Sequence, residues 1–380
     1  MPRVPGRIIR SQGGYSAFVP DPLPPRLNWS DSLVRGLSDA DRLIGRLAGA
    51  GAQLPNPRLL IRPFVRREAV LSSRIEGTQA TLGELLAAEA GAAVDRSPDD
   101  LREVGNYVVA LDHGIKRLET LPLSLRLVRE LHAKLMKGVH GGHATPGDFR
   151  RTQNWLGPPG CSLNNATFVP PPPDELGECL SAWEKALHDK MTPPLIHAAL
   201  IHYQFEATHP FLDGNGRVGR LMITLLLIER KVLLAPLLYL SAFFEATRRD
   251  YYDRLLEVSQ RGEWEAWLEY FLNGVARQSE DALSRAERIN ELLAQWRRTV
   301  AGSASKNALL LLDAIGENPF VTIKGAAKHL GVAFTTAQRA VERLCKLRIV
   351  AAVTEGKRDR AFCAQEILDI LEEPARLAPV

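Results

Sequence analysis

Apolar residues recur at three- and four-residue intervals along most of this chain, and the interruptions between those runs mark its elements. Leu101, Val104, Val108, Leu111 and Ile115 fall on one helical face and predict helix from Pro98 to Gly138. Phe64, Leu71 and Ile75 define an apolar side over residues 63–77. There Pro63 suits a first helical turn, where its missing N–H costs little, and Gly77 suits the position just past the end. Further helices are expected over Pro193–Ala207, Asn215–Glu229, Ala242–Gln260 and Trp264–Arg297. The first 60 residues are rich in Pro and Gly, with one helical stretch from Asp31 to Ala48, and read as an arm wrapped over a larger body.

Residues 139–173 break the pattern with Gly141-Gly142, Pro146-Gly147, Pro158-Pro159-Gly160 and Pro170 to Pro173. So long an irregular stretch inside a compact domain points to a lid or binding loop, and Thr167-Phe168-Val169 offers a short strand within it. Past a polar linker at 302–305 the order is helix (307–316), helix (323–330), a turn at Gly331, helix (335–347), strand (349–353), charged turn, strand (361–363). That order predicts a winged helix-turn-helix.

Composition narrows the partners. The 380-residue chain carries a mild net charge of +4, which excludes a whole-chain polyanion binder. Residues 318–360 nevertheless hold nine Lys or Arg against three Asp or Glu, with Lys357, Arg358 and Arg360 in the expected wing. DNA contact is therefore one expectation for this region; protein docking or a homodimer seam is the other. Cys161, Cys179, Cys345 and Cys363 are widely scattered and read as reduced thiols of a cytoplasmic protein. No apolar run follows the N-terminus, and the Leu221–Leu240 stretch is broken by Glu229, Arg230, Lys231 and Pro236, so no membrane span is expected.

The chemistry concentrates in residues 209–220, His-Pro-Phe-Leu-Asp-Gly-Asn-Gly-Arg-Val-Gly-Arg. Gly214 and Gly216 around Asn215 permit a sharp turn into a helix whose free N–H groups and dipole favour an anion. Arg217 and Arg220, three apart, share a helix face and offer two guanidinium forks to a chain of phosphates. Asp213 is placed to hold Mg²⁺, which joins one or two carboxylates to substrate phosphates. His209 is suited to accept a proton from an incoming hydroxyl. A bare helix corner capped by Asp213 accounts for the turn but not for the histidine and paired arginines. A zinc site from His197, His202 and His209 lacks the i, i+4 spacing of helical zinc ligands.

This stretch resembles, without a mismatch, the HPFx(D/E)GNGRxxR signature of the Fic family. The resemblance extends over Tyr15–Pro20, Pro22–Pro25 and Gln153-Asn154-Trp155, and Ser72-Ser73-Arg74-Ile75-Glu76-Gly77 resembles the inhibitory (S/T)xxxE(G/N) pattern of one bacterial subclass. It implies an all-α helical bundle with a small β-hairpin flap, and transfer of AMP from ATP, with Mg²⁺, to a Ser, Thr or Tyr hydroxyl of a target protein. Self-modification is a further possibility it carries. His209 would then be the general base, Asp213 the metal ligand and Phe211 a core anchor. Gly214, Asn215 and Gly216 would hold the α-phosphate region, and Arg217 and Arg220 the outer phosphates. Glycine at 216, where kinase-like relatives carry lysine, favours attack at the α-phosphorus. Glu76, in the motif begun by Ser72 and closed by Gly77, would occupy Arg220 as a brake. Asn154, Trp155, Thr167, Phe168 and Val169 would form the flap that registers the target, and Tyr251 and Tyr252 would line the adenine side.

The implied layout is an arm (1–60), a helical region with the inhibitory helix (61–118), a catalytic core (119–297), a linker (298–305) and a winged helix (306–370). Two other functions fit the same residues. One is removal of AMP by the same site; the other is a DNA-binding regulator that senses ATP.

Overall fold

The computed structural model describes residues 5–11, 14–53, 58–139, 145–302, 305–353, 360–375 and 377. Lys357 and Arg358 of the expected wing, and the Gly141-Gly142 turn, lie outside them. The chain is mostly helical. In order it runs β1 (Gly6–Arg10), β2 (Ser16–Pro20), α1 (Asp31–Gln53), α2 (Arg58–Ile75), α3 (Leu82–Glu89), α4 (Pro98–Arg117), α5 (Leu125–Leu135), α6 (Pro173–Leu187), α7 (Pro194–Thr208) and α8 (Asn215–Glu229). It continues through α9 (Ser241–Ala246), α10 (Arg248–Arg261), α11 (Trp264–Ala301), α12 (Lys306–Glu317), β3 (Phe320–Thr322), α13 (Ile323–Leu330), α14 (Phe334–Lys346), β4 (Ala351–Ala352), β5 (Ala361–Cys363) and α15 (Gln365–Glu372). Among the described residues no helix is long and apolar enough to cross a membrane.

Helices α7 and α8 form the centre of the bundle. Nearly every residue of both is buried, polar ones included, as expected of helices surrounded by others rather than lying on a surface. The motif loop joins these two central helices, so its geometry is set by the best-packed part of the molecule. Around them stand α4 and α5, α6, α10 and the 38-residue α11, along which α1 packs.

Several boundaries differ from the sequence expectation. Helix α2 begins a turn and a half before Pro63, which sits inside it, so one interior helical bond is given up rather than saved. The long helix over 98–138 is two, α4 and α5, separated by Pro122 and restarted by Ser124, whose hydroxyl accepts the Leu127 N–H. Thr247 divides α9 from α10 without a side-chain cap, its hydroxyl donating back to the Phe243 carbonyl at 2.7 Å. Helix α6 went unforeseen because the proline run that ends the irregular segment also starts it: Pro172 is its N-cap and Pro173 its first residue. The N-terminal arm contains a hairpin, with β1 and β2 antiparallel and Gly6 opposite Pro20. At the other end, β3, β5 and β4 form a three-stranded antiparallel sheet, and α15 follows it.

The C-terminal segment is seated on α2. Arg62 pairs with Glu317 at 2.7 Å, and the buried Arg67 donates to the Glu373 carbonyl at 3.3 Å. Arg285 of α11, held by Asp281 at 2.7 Å, reaches the carbonyls of Ile370, Glu373 and Pro374. The helix expected to carry the brake is thus held at Arg62 and Arg67 by the far end of the chain.

Candidate active site

The 209–214 loop is held by its own side chains first. Asn215, the first residue of α8, accepts the Phe211 N–H and donates to the Phe211 carbonyl, both at 2.8 Å. Phe211 is fully buried and stacks on His132, with ring centroids 3.7 Å apart. His132 accepts the Gly147 N–H at Nδ1 (2.8 Å) and so donates from Nε2 to the Asp213 carbonyl (3.0 Å). Burial lowers its pKa to about 4, which keeps this neutral tautomer in place. Buried Arg150 ties the other side, donating to the carbonyls of His209 (2.9 Å), Thr208 and Pro171. Neither His132 nor Arg150 was singled out by sequence, because each reaches the motif only through tertiary contact.

His209 closes α7 in a left-handed conformation (φ 46°), which turns the chain sharply out of the helix. Its Nδ1 lies 3.3 Å from the Glu206 carbonyl. A carbonyl only accepts, so Nδ1 bears the proton and Nε2 is left as the basic nitrogen. Burial pulls the pKa down to about 4, the Glu206 carbonyl opposing it, and the ring is neutral at physiological pH. Gly214 (φ 77°) caps α8 without any side-chain hydrogen bond, which leaves the first-turn N–H groups to whatever occupies the space before them.

That space is a cavity of about 560 Å³ lined by His209, Asp213, Gly214, Asn215, Gly216, Arg220 and Glu76 at one end and by Tyr252 and Ser259 toward the other. Arg220 is almost wholly buried and held by the end of α2: its Nε donates to the Ser72 hydroxyl at 2.8 Å, and Nη2 to the Ser72 carbonyl at 2.9 Å and to Glu76 at 2.6 Å. Helix α2 ends in a Schellman turn, Thr78 N–H to Ser73 carbonyl and Gly77 N–H to Arg74 carbonyl, with Gly77 at φ 108°. This turn fixes the backbone of Glu76 at the mouth of the cavity. Burial pushes the Glu76 carboxyl up, but Arg220 more than offsets this and holds it below the usual carboxylate range. Its carboxylate lies directly over Gly216, where an added Cβ would collide with Oε1.

The two arginines part company. Arg217 is buried and pairs with Glu103 of α4, beside a second cavity that also contains Asp99, Asp100 and Asp213, and it does not line the first. Asp213 stands at the rim between the two, with Oδ1 accepting the Gly214 N–H at 2.6 Å and lying 3.6 Å from Arg217. Among the described residues no group of three or more His, Cys, Asp or Glu side chains can hold a metal unaided. A tethered, exposed carboxylate at a phosphate-sized cavity fits Mg²⁺ completed by substrate oxygens. His197 and His202 spend Nε2 on the Ala186 carbonyl (2.8 Å) and the Tyr251 hydroxyl (2.7 Å) respectively.

The flap residues divide by role. Leu156 and Phe168 form an antiparallel bridge, exchanging N–H groups and carbonyls at 2.8 and 3.1 Å. Trp155, Thr167 and Phe168 line the cavity mouth. The Val169 carbonyl accepts the Phe18 N–H at 2.9 Å, which joins the flap to β2, and Asn154 braces the motif by donating to the Phe211 and His209 carbonyls. Tyr251 and Tyr252 both line the cavity; Tyr251 is buried and stacked on Phe244 at 4.5 Å, and Tyr252 presents a partly exposed ring with Arg248 over it.

A helical bundle whose two central helices are joined by this loop is the architecture of one family, and sequence comparison agrees. Residues 34–116 match the Fic/DOC family N-terminal region and residues 122–227 match the Fic/DOC family domain. The chain belongs to the Fic/DOC family. It is 29% identical over 198 residues, 50% of its length, to Protein adenylyltransferase Fic of Drosophila grimshawi, and the match covers 37% of that relative. The Drosophila melanogaster protein of the same name is 28% identical, with 36% of it covered. The match therefore spans little more than a third of these curated relatives. Among solved structures, a Fic family protein from Desulfovibrio desulfuricans G20 shares the fold with a TM-score of 0.59 at 21% identity, over 90% of this chain and 98% of that one. Fic-1 from C. elegans follows with a TM-score of 0.51 at 21% identity, over 67% and 74%.

Proposed function

We propose that this protein is a cytoplasmic protein adenylyltransferase that moves AMP from Mg²⁺-bound ATP to a Ser, Thr or Tyr hydroxyl of a target protein, and that Glu76 restrains it. The observation that carries the reading is a neutral His209, its Nε2 basic, beside an uncapped helix start and a buried arginine. In this scheme the acceptor hydroxyl oxygen bonds to the α-phosphorus, its proton passes to His209 Nε2, and the bond to the bridging oxygen breaks to release pyrophosphate. The α8 N–H groups hold the α-phosphate oxygens as charge develops, and Arg220 takes an outer phosphate once Glu76 has left it. Bound Mg²⁺, held by Asp213, supplies charge neutralisation of the phosphates. Arg217, anchored by Glu103, would steady Asp213 in place of a direct phosphate contact. Tyr252 offers its face to the base, and the Leu156–Phe168 bridge offers an extended edge for pairing with a target strand or with the chain's own segments.

Labelled ATP and a panel of acceptor proteins test the activity directly. Label should appear on protein with the α-phosphate and not the γ-phosphate, and EDTA should abolish it. Label carried by γ-phosphate would overturn the reaction type. Removal of AMP by the same residues is the alternative, since Glu76 at the cavity mouth is also placed to orient a water.

A second activity is favoured by one observation. On α13, α14 and the turn after them, Lys324, Lys328, Arg339, Arg343, Lys346 and Arg348 have no ion-pair partner among the described residues, whereas Arg62, Arg66 and Arg102 elsewhere are paired. Read as a winged helix, this face suits duplex phosphates. The full chain should retard duplex DNA with an affinity that falls about tenfold or more between 50 and 200 mM salt, and Arg339→Glu with Arg343→Glu should remove the shift. Retardation that persists in the double variant would move the contact elsewhere, and no retardation would leave protein docking or dimerisation for this face.

A further inference from the structure

The cavity wall contains a largely buried carboxyl that the scheme above does not use. Glu206 lies on α7 one turn before His209 and lines the cavity, yet no described residue hydrogen-bonds to its carboxyl group, and its Oε1 is enclosed. His202, one turn earlier, leaves its Nδ1 buried and unpartnered as well. Both groups converge over Gly219 of α8: a Cβ added there would lie 3.3 Å from His202 Nδ1 and would collide with Glu206 Oε1. Only a residue without a side chain lets this carboxyl stand against α8. Buried polar groups in native proteins are satisfied, so an unsatisfied one facing a ligand cavity marks a place where the ligand completes the bonding.

The charges around Glu206 are well defined. Arg220 faces it from α8, Glu76 from the end of α2, His202 from its own helix, and Tyr251 and Tyr252 from α10. Glu76 already pairs with Arg220. Two ionised carboxylates around one guanidinium would leave an uncompensated buried negative charge, so the carboxyl that lacks the direct contact is the one that keeps its proton. Burial is the main cause, with Glu76 adding to it and Arg220 opposing, and the pKa rises to about 8. A polyphosphate that replaced Glu76 on Arg220 would carry the same sign and preserve the proton.

We propose that Glu206 is a nucleotide-binding residue of this site, neutral at physiological pH, which donates its carboxyl proton to an outer phosphate oxygen of ATP alongside Arg220. The inference rests on the reading that ATP binds with its outer phosphates on Arg220. Its signature is alkaline: below about pH 8 the carboxyl is a donor, and above it the ionised group repels the same phosphate.

Calorimetric titration of Mg²⁺ and ATP into full-length Glu76→Gly from pH 7 to 9.5 tests it without any need for turnover. Glu76 itself helps to raise the carboxyl's pKa, so in this variant the fall in affinity should set in at or below about pH 8 and approach tenfold per pH unit. Adding Glu206→Gln, which keeps a donor that does not titrate, should hold the affinity constant over that range. Adding Glu206→Ala should weaken binding at pH 7, where the donor is lost, and should remove the alkaline fall, since no ionised carboxylate is left to repel the phosphate. A flat profile in Glu76→Gly alone, an alkaline loss that survives Glu206→Gln, or undiminished affinity in Glu206→Ala at pH 7 would each overturn the proposal. The first of these needs no change at Glu206, so it decides the matter even if those variants fold poorly. A chain that binds ATP in the proposed way but labels no protein would leave Glu206 in its role and overturn the transferase reading instead.

Discussion

Glu76→Gly is expected to raise the rate of AMP transfer by about 100-fold or more over the wild-type chain. Arg220 is already held in the resting protein, because Glu76, the Ser72 carbonyl and the Ser72 hydroxyl take its Nε and Nη2 donors within 2.6–2.9 Å. Removing the carboxylate frees the one contact that competes with a phosphate and also removes a negative charge from where ATP is most negative. The Ser72 contacts remain to hold the guanidinium in place, so the gain should appear as activity rather than as unfolding. Mild acid should not imitate the variant. The folded-state pKa of Glu76 is depressed, so the ion pair is present above the ordinary carboxylate range and is lost only as pH falls below it. Transfer by the wild type should accordingly show no rise between pH 8 and pH 5.5. Initial rates of label incorporation decide both points, and a glycine variant no faster than wild type would remove Glu76 from its role.

His209→Ala, made in the Glu76→Gly background, is expected to lower transfer by about 10²–10⁴-fold while leaving ATP affinity nearly unchanged. The imidazole is placed by the left-handed turn and by Nδ1–H to the Glu206 carbonyl, and neither feature contributes to holding the phosphates. With a pKa of about 4 the ring is unprotonated throughout the physiological range. The rate at saturating ATP should therefore stay level from pH 6 to 8, with its acid limb near pH 4. An alanine variant within tenfold of its parent would show that the acceptor hydroxyl loses its proton elsewhere.

How far the sequence anticipates all this depends on how local each feature is. The turn of the motif is legible because its glycines and asparagine act within one turn and the helix it opens. Helix order was legible from the 3.6-residue pattern, and the Fic/DOC assignment followed from the same residues. Features made by distant pairs were not. Arg217 looks equivalent to Arg220 on a helix face, and only Glu103, more than a hundred residues upstream, separates their roles. Arg150 and His132 brace the loop through backbone carbonyls, which leave no mark on side-chain patterning. Helix α6 was hidden because prolines at a helix start read as the end of a loop. Glu206 was passed over as one polar residue on a buried helix, since its lack of a partner is visible only when its neighbours are in place.

Gly216 was first of interest for the room it leaves a phosphate. In the resting chain that room is already let to Glu76, whose carboxylate fills the volume a methyl group would take. The restraint is therefore written in two places, and a chain that kept its (S/T)xxxE(G/N) sequence but acquired a larger residue at 216 would carry an inhibitory carboxylate that has to shift from its seat.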